Sequence, residues 1–198
     1  MDYKIFLIML VAYMIGSVPS GVIVARLKGI DLRKVGSGNI GATNVLRAVS
    51  KGSAVVTLLG DFLKGAFAVL ICRYFLGGEM WEGIAGIAVI LGHNFSILLS
   101  FKGGKGVATG LGVLFVYSPI VAFITLGIWL AVAFSTRYSS LAAIVAYSIL
   151  PLSFLLFDAS KVKVATAVII AFLILIKHRS NMKRLLVGTE SKIGERMT

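Results

Sequence analysis

Cations, amides and hydroxyls gather into three short stretches of a chain that is otherwise 58% hydrophobic. The first runs Gly36-Ser-Gly-Asn-Ile-Gly-Ala-Thr-Asn-Val-Leu-Arg47. The second runs Gly92-His-Asn-Phe-Ser-Ile-Leu-Leu-Ser-Phe-Lys-Gly-Gly-Lys-Gly106, and the third Lys177-His-Arg-Ser-Asn-Met-Lys-Arg-Leu-Leu-Val-Gly-Thr-Glu190. Placed where apolar helices end, such groups are suited to holding anions at a membrane surface, because glycines let backbone amides approach an anion and cations balance its charge.

In the first stretch Gly38 and Gly41 offer backbone amides, and a short helix starting near Gly41 would aim its free N–H groups the same way. Ser37, Asn39, Thr43 and Asn44 add neutral hydrogen-bond partners, and Arg47 adds a bidentate phosphate ligand. The glycine spacing imitates a dinucleotide-binding fingerprint, but it lies between apolar spans with no βαβ unit around it, so that match is spurious. The bland alternative is a polar loop running into an interfacial helix. In the second stretch Lys102, Gly103, Gly104, Lys105 and Gly106 are not a Walker A loop, since Leu99 and Gly106 stand where glycine and Ser or Thr are required. Two lysines around a Gly-Gly pair can still form a phosphate nest at a helix start. His93 lies about two turns earlier, open between a structural histidine and a site residue. In the third stretch His178 stands among cations whose repulsion favours its neutral form. A neutral imidazole can orient a hydroxyl or accept its proton. Asn181, Lys183 and Arg184 follow, and Glu190, one acid beside so many cations, suggests a specific pairing. Asp61 and Lys64, three apart on an apolar helix, share a face and can pair.

The elements that must position these groups are membrane helices. A mean hydropathy of +0.97 with 14% charged residues is far from a soluble domain. The 198 residues read as one domain, 1–198. A net charge of +12 could suggest nucleic acid, but the basic residues cluster between apolar spans, which argues against that partner. One cysteine and two histidines leave no basis for a structural zinc site, and no metal or cofactor is called for. Apolar segments fall at about 4–26, 53–76, 82–100, 107–135, 140–157 and 162–177. The fourth is too long for one crossing, and Pro119 within it can divide it into two short helices. Division gives seven spans and puts 15 of the 20 cations, with all three stretches, on one side. The positive-inside rule makes that side cytoplasmic. The expectation is therefore an all-α integral membrane protein of seven transmembrane helices, N-terminus out and C-terminus in, with a short interfacial helix and loops on the cytoplasmic face.

With Gly16-Ser-Val-Pro-Ser-Gly21 in the first span and the three stretches in order, the chain resembles the bacterial acyl-phosphate-dependent glycerol-3-phosphate acyltransferases, the family often called PlsY. Ser37-Gly-Asn-Ile-Gly-Ala-Thr-Asn is similar to that family's first motif, Gly92-His through Gly106 to its second, and His178-Arg-Ser-Asn through Glu190 to its third. Two departures are Ser96, where proline is expected, and Ser20, where an aromatic or Thr is usual. The resemblance implies transfer of a fatty acyl group from acyl phosphate to the 1-hydroxyl of glycerol 3-phosphate, giving lysophosphatidic acid and phosphate at the bacterial inner membrane. Its partners would be those two substrates, the bilayer, and a soluble enzyme delivering acyl phosphate. On this reading Arg47 and Lys105 carry phosphate charge, Ser37 and the glycine amides serve the acyl-phosphate end, and His178 with Asn181 orients glycerol 3-phosphate. Substrate-binding support falls to Gly38, Asn39, Gly41, Thr43, Asn44, His93, Lys102, Gly103, Gly104, Gly106, Lys183, Arg184 and Glu190. The competing class is a small transporter or channel for an organic phosphate anion, which would need polar residues along a path to the outer face.

Overall fold

Pro19 and Pro119 mark two breaks in the helices, whereas Pro151 lies inside the continuous helix Ser139–Phe157. The computed structural model describes residues 3–195; Asp2 and Arg196, counted among the charges above, lie outside the described residues. Helix α1 (Tyr3–Ser17) stops before Pro19 and α2 (Ser20–Arg26) resumes after it. The segment read as one helix is thus broken, because proline lacks the N–H that would continue the ladder. The carbonyls released there are taken from other helices: Ser96 Oγ donates to Ser17 O at 2.6 Å and Lys64 Nζ to Val18 O at 2.9 Å. Ser96 thereby ties the start of a later turn to the break in the first span.

Helix α3 (Ala42–Ala48) is the short helix expected after Gly41, and Gly41 is its N-cap. There follow α4 (Lys51–Phe75), α5 (Glu79–Asn94) and a 3-10 turn at Ile97–Leu99, so the third apolar segment is helical over less of its length than its hydropathy suggested. The long fourth segment divides at the expected place. Helix α6 (Val107–Tyr117) ends at an extended Ser118, and Pro119 opens α7 (Pro119–Thr136) at the helix position that tolerates it best. Next come α8 (Ser139–Phe157), α9 (Lys161–Lys177) and α10 (Arg179–Leu186). No strand occurs among the described residues.

Among the described residues, five helical stretches are long and apolar enough to cross a membrane: Tyr3–Arg26, Lys51–Phe75, Glu79–Leu99, Pro119–Thr136 and Ser139–Phe157. Helix α9 has 17 residues, about 26 Å of helix, and α6 has 11 residues, about 17 Å. The short α6 is held by direct backbone contact with α4. A Cβ at Gly65 would run into Thr109 O, and one at Gly112 into Phe62 O, so glycine on both helices lets the two backbones touch. Val89, Ile90, Val113, Leu114, Tyr147, Leu150, Phe154 and Ile170 fill the space between α5, α6, α8 and α9.

The bundle has two polar ends. At one, Arg73 pairs with Glu82 at 2.7 Å and donates to Val116 O at 2.8 Å, while Tyr117 Oη donates to Glu79 O at 2.8 Å. Lys163 pairs with Asp158 there at 2.7 Å. The other end gathers the N-termini of α4, α6 and α8, the C-termini of α5, α7 and α9, and the helices α3 and α10. Helix α6 runs from the second end to the first.

Candidate functional site

The first stretch forms a turn organised from within. Gly36 and Gly38 have φ of +57° and +68°, values that favour glycine, and they turn the chain back over α3. Asn44 is buried beneath that turn. Its Oδ1 accepts from Ser37 N at 2.9 Å, and its Nδ2 donates to Asn39 O at 2.8 Å, Val35 O at 3.2 Å and Leu32 O at 3.3 Å. Its amide is therefore committed to the loop, and losing it would strand buried backbone groups at about 1–3 kcal/mol each. Asn39 Oδ1 accepts from Gly41 N at 3.0 Å, and Thr43 Oγ1 lies 3.2 Å from Ser139 Oγ. The turn presents Ser37 and the Gly38 region outward.

Arg47, on α3, reaches across to the C-terminal segment that follows α10. Its terminal nitrogen donates to Ser191 O at 2.9 Å and Lys192 O at 3.0 Å, while Nε is buried without a partner. A guanidinium oriented by carbonyls at one terminal nitrogen keeps its other terminal nitrogen as a donor for an anion.

The second stretch brings Lys105 into the same end. Lys105 Nζ donates to Asn181 Oδ1 at 2.6 Å. Burial pulls its ammonium down to about 8, with Glu190 opposing that shift and Arg184, Arg47 and Lys177 adding to it. Gly106, with φ of +82°, is the N-cap of α6, and Gly104 N donates to His93 O at 2.9 Å. Lys102 is exposed. His93 is buried beneath the glycine pair rather than lining the open end, its Nδ1 3.7 Å from Asp61 Oδ1. Asp61 and Lys64 pair at 2.8 Å, as their spacing suggested.

The third stretch closes the arrangement. Glu190 is a hub: Oε1 accepts from Ser140 Oγ and Asn181 Nδ2, both at 2.6 Å, and Oε2 accepts from Arg184 Nε at 2.7 Å. Burial works to raise its carboxyl, but the hydrogen bonds from Ser140, Asn181 and Arg184 outweigh burial and hold it below the usual range. The pairing anticipated for this acid is therefore with Arg184, reinforced by two neutral donors. His178 is buried, its Nδ1 donating to Ile174 O at 2.8 Å, which leaves Nε2 as the acceptor. Its imidazole is driven down to about 4, by burial first and the Lys105 charge second. The expected neutral histidine is present, though burial rather than repulsion from its sequence neighbours is the main cause. Lys183 is exposed on α10.

The end thus assembles Ser37, Arg47, Lys105, His178, Asn181, Arg184 and Glu190 from α3 and the turn before it, the loop before α6, and α10 with the segment that follows it. Ser139 and Ser140 escaped sequence reading. Their signal was a polar Arg137-Tyr-Ser-Ser140 run opening an apolar helix, which gave no hint of a partner 50 residues later. Cations, an unpartnered guanidinium nitrogen, a neutral imidazole and glycine amides at the mouth of an apolar bundle can hold phosphate-bearing, lipid-linked molecules and orient a hydroxyl between them.

A model of the family described as glycerol-3-phosphate acyltransferase matches residues 6–188. A glycerol-3-phosphate acyltransferase of Mesorhizobium japonicum is 50% identical over 196 residues, covering 98% of both chains. One from Thermus thermophilus is 50% identical over 193 residues, covering 96% of this chain and 95% of its own. Among solved structures, the glycerol 3-phosphate form of PlsY, an integral membrane glycerol 3-phosphate acyltransferase, superposes with a TM-score of 0.92 at 41% identity, covering 96% of each chain. The lysophosphatidic acid form gives 0.90 at 40% identity, again over 96% of each.

Proposed function

Because the chain belongs to the glycerol-3-phosphate acyltransferase family, we propose that its polar end transfers a fatty acyl group from acyl phosphate directly to the 1-hydroxyl of glycerol 3-phosphate. The observation that carries this reading is the linked set Lys105–Asn181–Glu190–Arg184, with Arg47 and His178 beside it. Relatives whose solved forms hold glycerol 3-phosphate and lysophosphatidic acid supply the acceptor and the product.

An acyl phosphate is an activated anhydride, so the protein has mainly to position two anions and stabilise the one that departs. Arg47 and the Ser37–Gly38 turn face the acyl-phosphate end, and Lys105 with Asn181 and His178 the glycerol 3-phosphate end. The hydroxyl oxygen forms a bond to the acyl carbon, the carbon–oxygen bond to phosphate breaks, and phosphate leaves. A histidine brought down to about 4 is a weak base, so His178 Nε2 serves to orient the hydroxyl, and its proton passes to a phosphate oxygen. Asn39, Asn44 and Thr43 shape the turn, Gly103, Gly104 and Gly106 shape the loop bearing Lys105, and Lys102 and Lys183 add field at the surface.

In the bilayer the helices cross seven times, with α6 and α7 as separate crossings, the N-terminus outside and the site on the cytoplasmic face of the inner membrane. The run of α6 between the two polar ends supports this count, and the concentration of cations at the site end supports the sidedness. A soluble enzyme would deliver acyl phosphate to that face. The transporter reading finds no support in the one charged pair deep in the helices, since Asp61 and Lys64 are engaged with each other and with Val18 O.

Purified protein given glycerol 3-phosphate and either palmitoyl phosphate or palmitoyl-CoA tests the donor. Lysophosphatidic acid should form from the phosphate alone, and equal yield from the thioester would refute the assignment. Rapid quenching should recover no acylated protein; an acyl group on Ser37 would overturn direct transfer.

A further inference from the structure

We infer that His93 and Asp61 are positioning residues for Lys105, an inference that rests on Lys105 binding substrate phosphate. The two residues before Lys105 are Gly103 and Gly104, and glycine has the largest backbone freedom to lose, so this loop needs an external template to hold one shape. His93 provides it. Its carbonyl accepts from Gly104 N at 2.9 Å, and a Cβ on Gly103 would run into that same carbonyl. A Cβ on Gly104 would run into the imidazole at Nε2. The glycine pair is therefore seated on the backbone and the ring of one buried histidine, and neither glycine can carry a side chain there.

On its opposite side the ring faces a carboxylate. His93 Nδ1 is buried with no hydrogen-bond partner, and Asp61 Oδ1 lies 3.7 Å away. Asp61 is in turn fixed by Lys64 at 2.8 Å, and Lys64 Nζ donates at 2.9 Å to the Val18 carbonyl released by the break at Pro19. A continuous series of contacts thus runs from the α1–α2 break through α4 and α5 to the loop whose next residue is Lys105. Charges this deep among apolar helices are costly to keep and call for a purpose. His93 and Asp61 act through Lys105; His93 does not itself hold substrate.

Steady-state kinetics of the full-length protein with palmitoyl phosphate and glycerol 3-phosphate test this. His93→Ala and Asp61→Asn should raise KM for glycerol 3-phosphate by about tenfold or more, with KM for palmitoyl phosphate changed less than about twofold, as a small displacement of Lys105 would produce. A fall in kcat with both KM values unchanged would mean a smaller active fraction, a merely structural role, and would overturn the inference, as would wild-type kinetics. Should His93→Ala fail to fold, His93→Gln is read for the same KM split. In a Lys105→Ala background, His93→Ala should add no further rise in KM. An additional multiplicative rise would give His93 its own substrate contact and contradict the inference. Lys105→Ala with normal KM for glycerol 3-phosphate would instead refute the phosphate role of Lys105 itself.

Discussion

On the proposed assignment, Lys105 and Glu190 set the site's response to pH and charge. Burial brings the Lys105 ammonium to about 8, so it is charged below that value and loses its proton as pH rises through it. Phosphate binding needs the charged form, so KM for glycerol 3-phosphate should be flat up to about pH 7 and climb above the Lys105 value. Lys105→Arg, charged throughout, should abolish the climb while lowering kcat; an equal climb in that variant would assign the pH dependence to another group. Glu190 gathers Ser140, Asn181 and Arg184, and Asn181 in turn holds Lys105. Glu190→Gln should therefore lower kcat/KM on the order of tenfold or more through misplaced neighbours, and wild-type kinetics would contradict the hub. The types and spacing of Ser37, Arg47, Lys105, His178 and Asn181 singled them out in the sequence as candidates. What stayed hidden was the pairing of side chains: Ser140 meeting Glu190, Asn44 enclosed within its own turn, and His93 under the glycines. The low basicity of His178 was legible too, but its main cause, burial, belongs to the folded chain alone.

Helix boundaries were legible where proline or glycine dictates backbone geometry. The division at Ser118-Pro119 could be read directly, because proline has one favoured place in a helix, its first turn. The break at Pro19 was missed even so, because 4–26 has the length of a single crossing and nothing called for its division, whereas 107–135 was too long for one. The contact between α4 and α6 was also hidden, since single glycines in apolar segments do not announce a partner. It carries a clean prediction. Gly112→Val would push a side chain into Phe62 O, so it should destabilise the protein by about 1–3 kcal/mol, read as a lower melting temperature in detergent. Gly127→Val on α7, where an added Cβ meets nothing within 4 Å, should be close to neutral. Equal effects from the two would mean that α4 and α6 do not meet through their glycines.

The whole molecule separates its polar groups into two ends joined by apolar helices, and the end richer in cations holds the site. A reporter fused after Thr198 should read cytoplasmic, and one inserted between Gly77 and Gly78 should read exterior; both on one side would contradict the seven-span arrangement. That all three polar stretches share one face was legible from charge asymmetry once the fourth segment was divided, because the positive-inside rule acts on whole loops. How the stretches interlock was not legible, since it depends on α10 and the C-terminal segment folding back to Arg47 and Arg137. This one end is proposed to transfer an acyl group from one phosphate-bearing substrate to another. The most direct test is phosphate release from palmitoyl phosphate by the purified protein in lipidic mesophase, with and without glycerol 3-phosphate. Release that requires glycerol 3-phosphate and collapses in Lys105→Ala is the predicted result; release independent of glycerol 3-phosphate would contradict it.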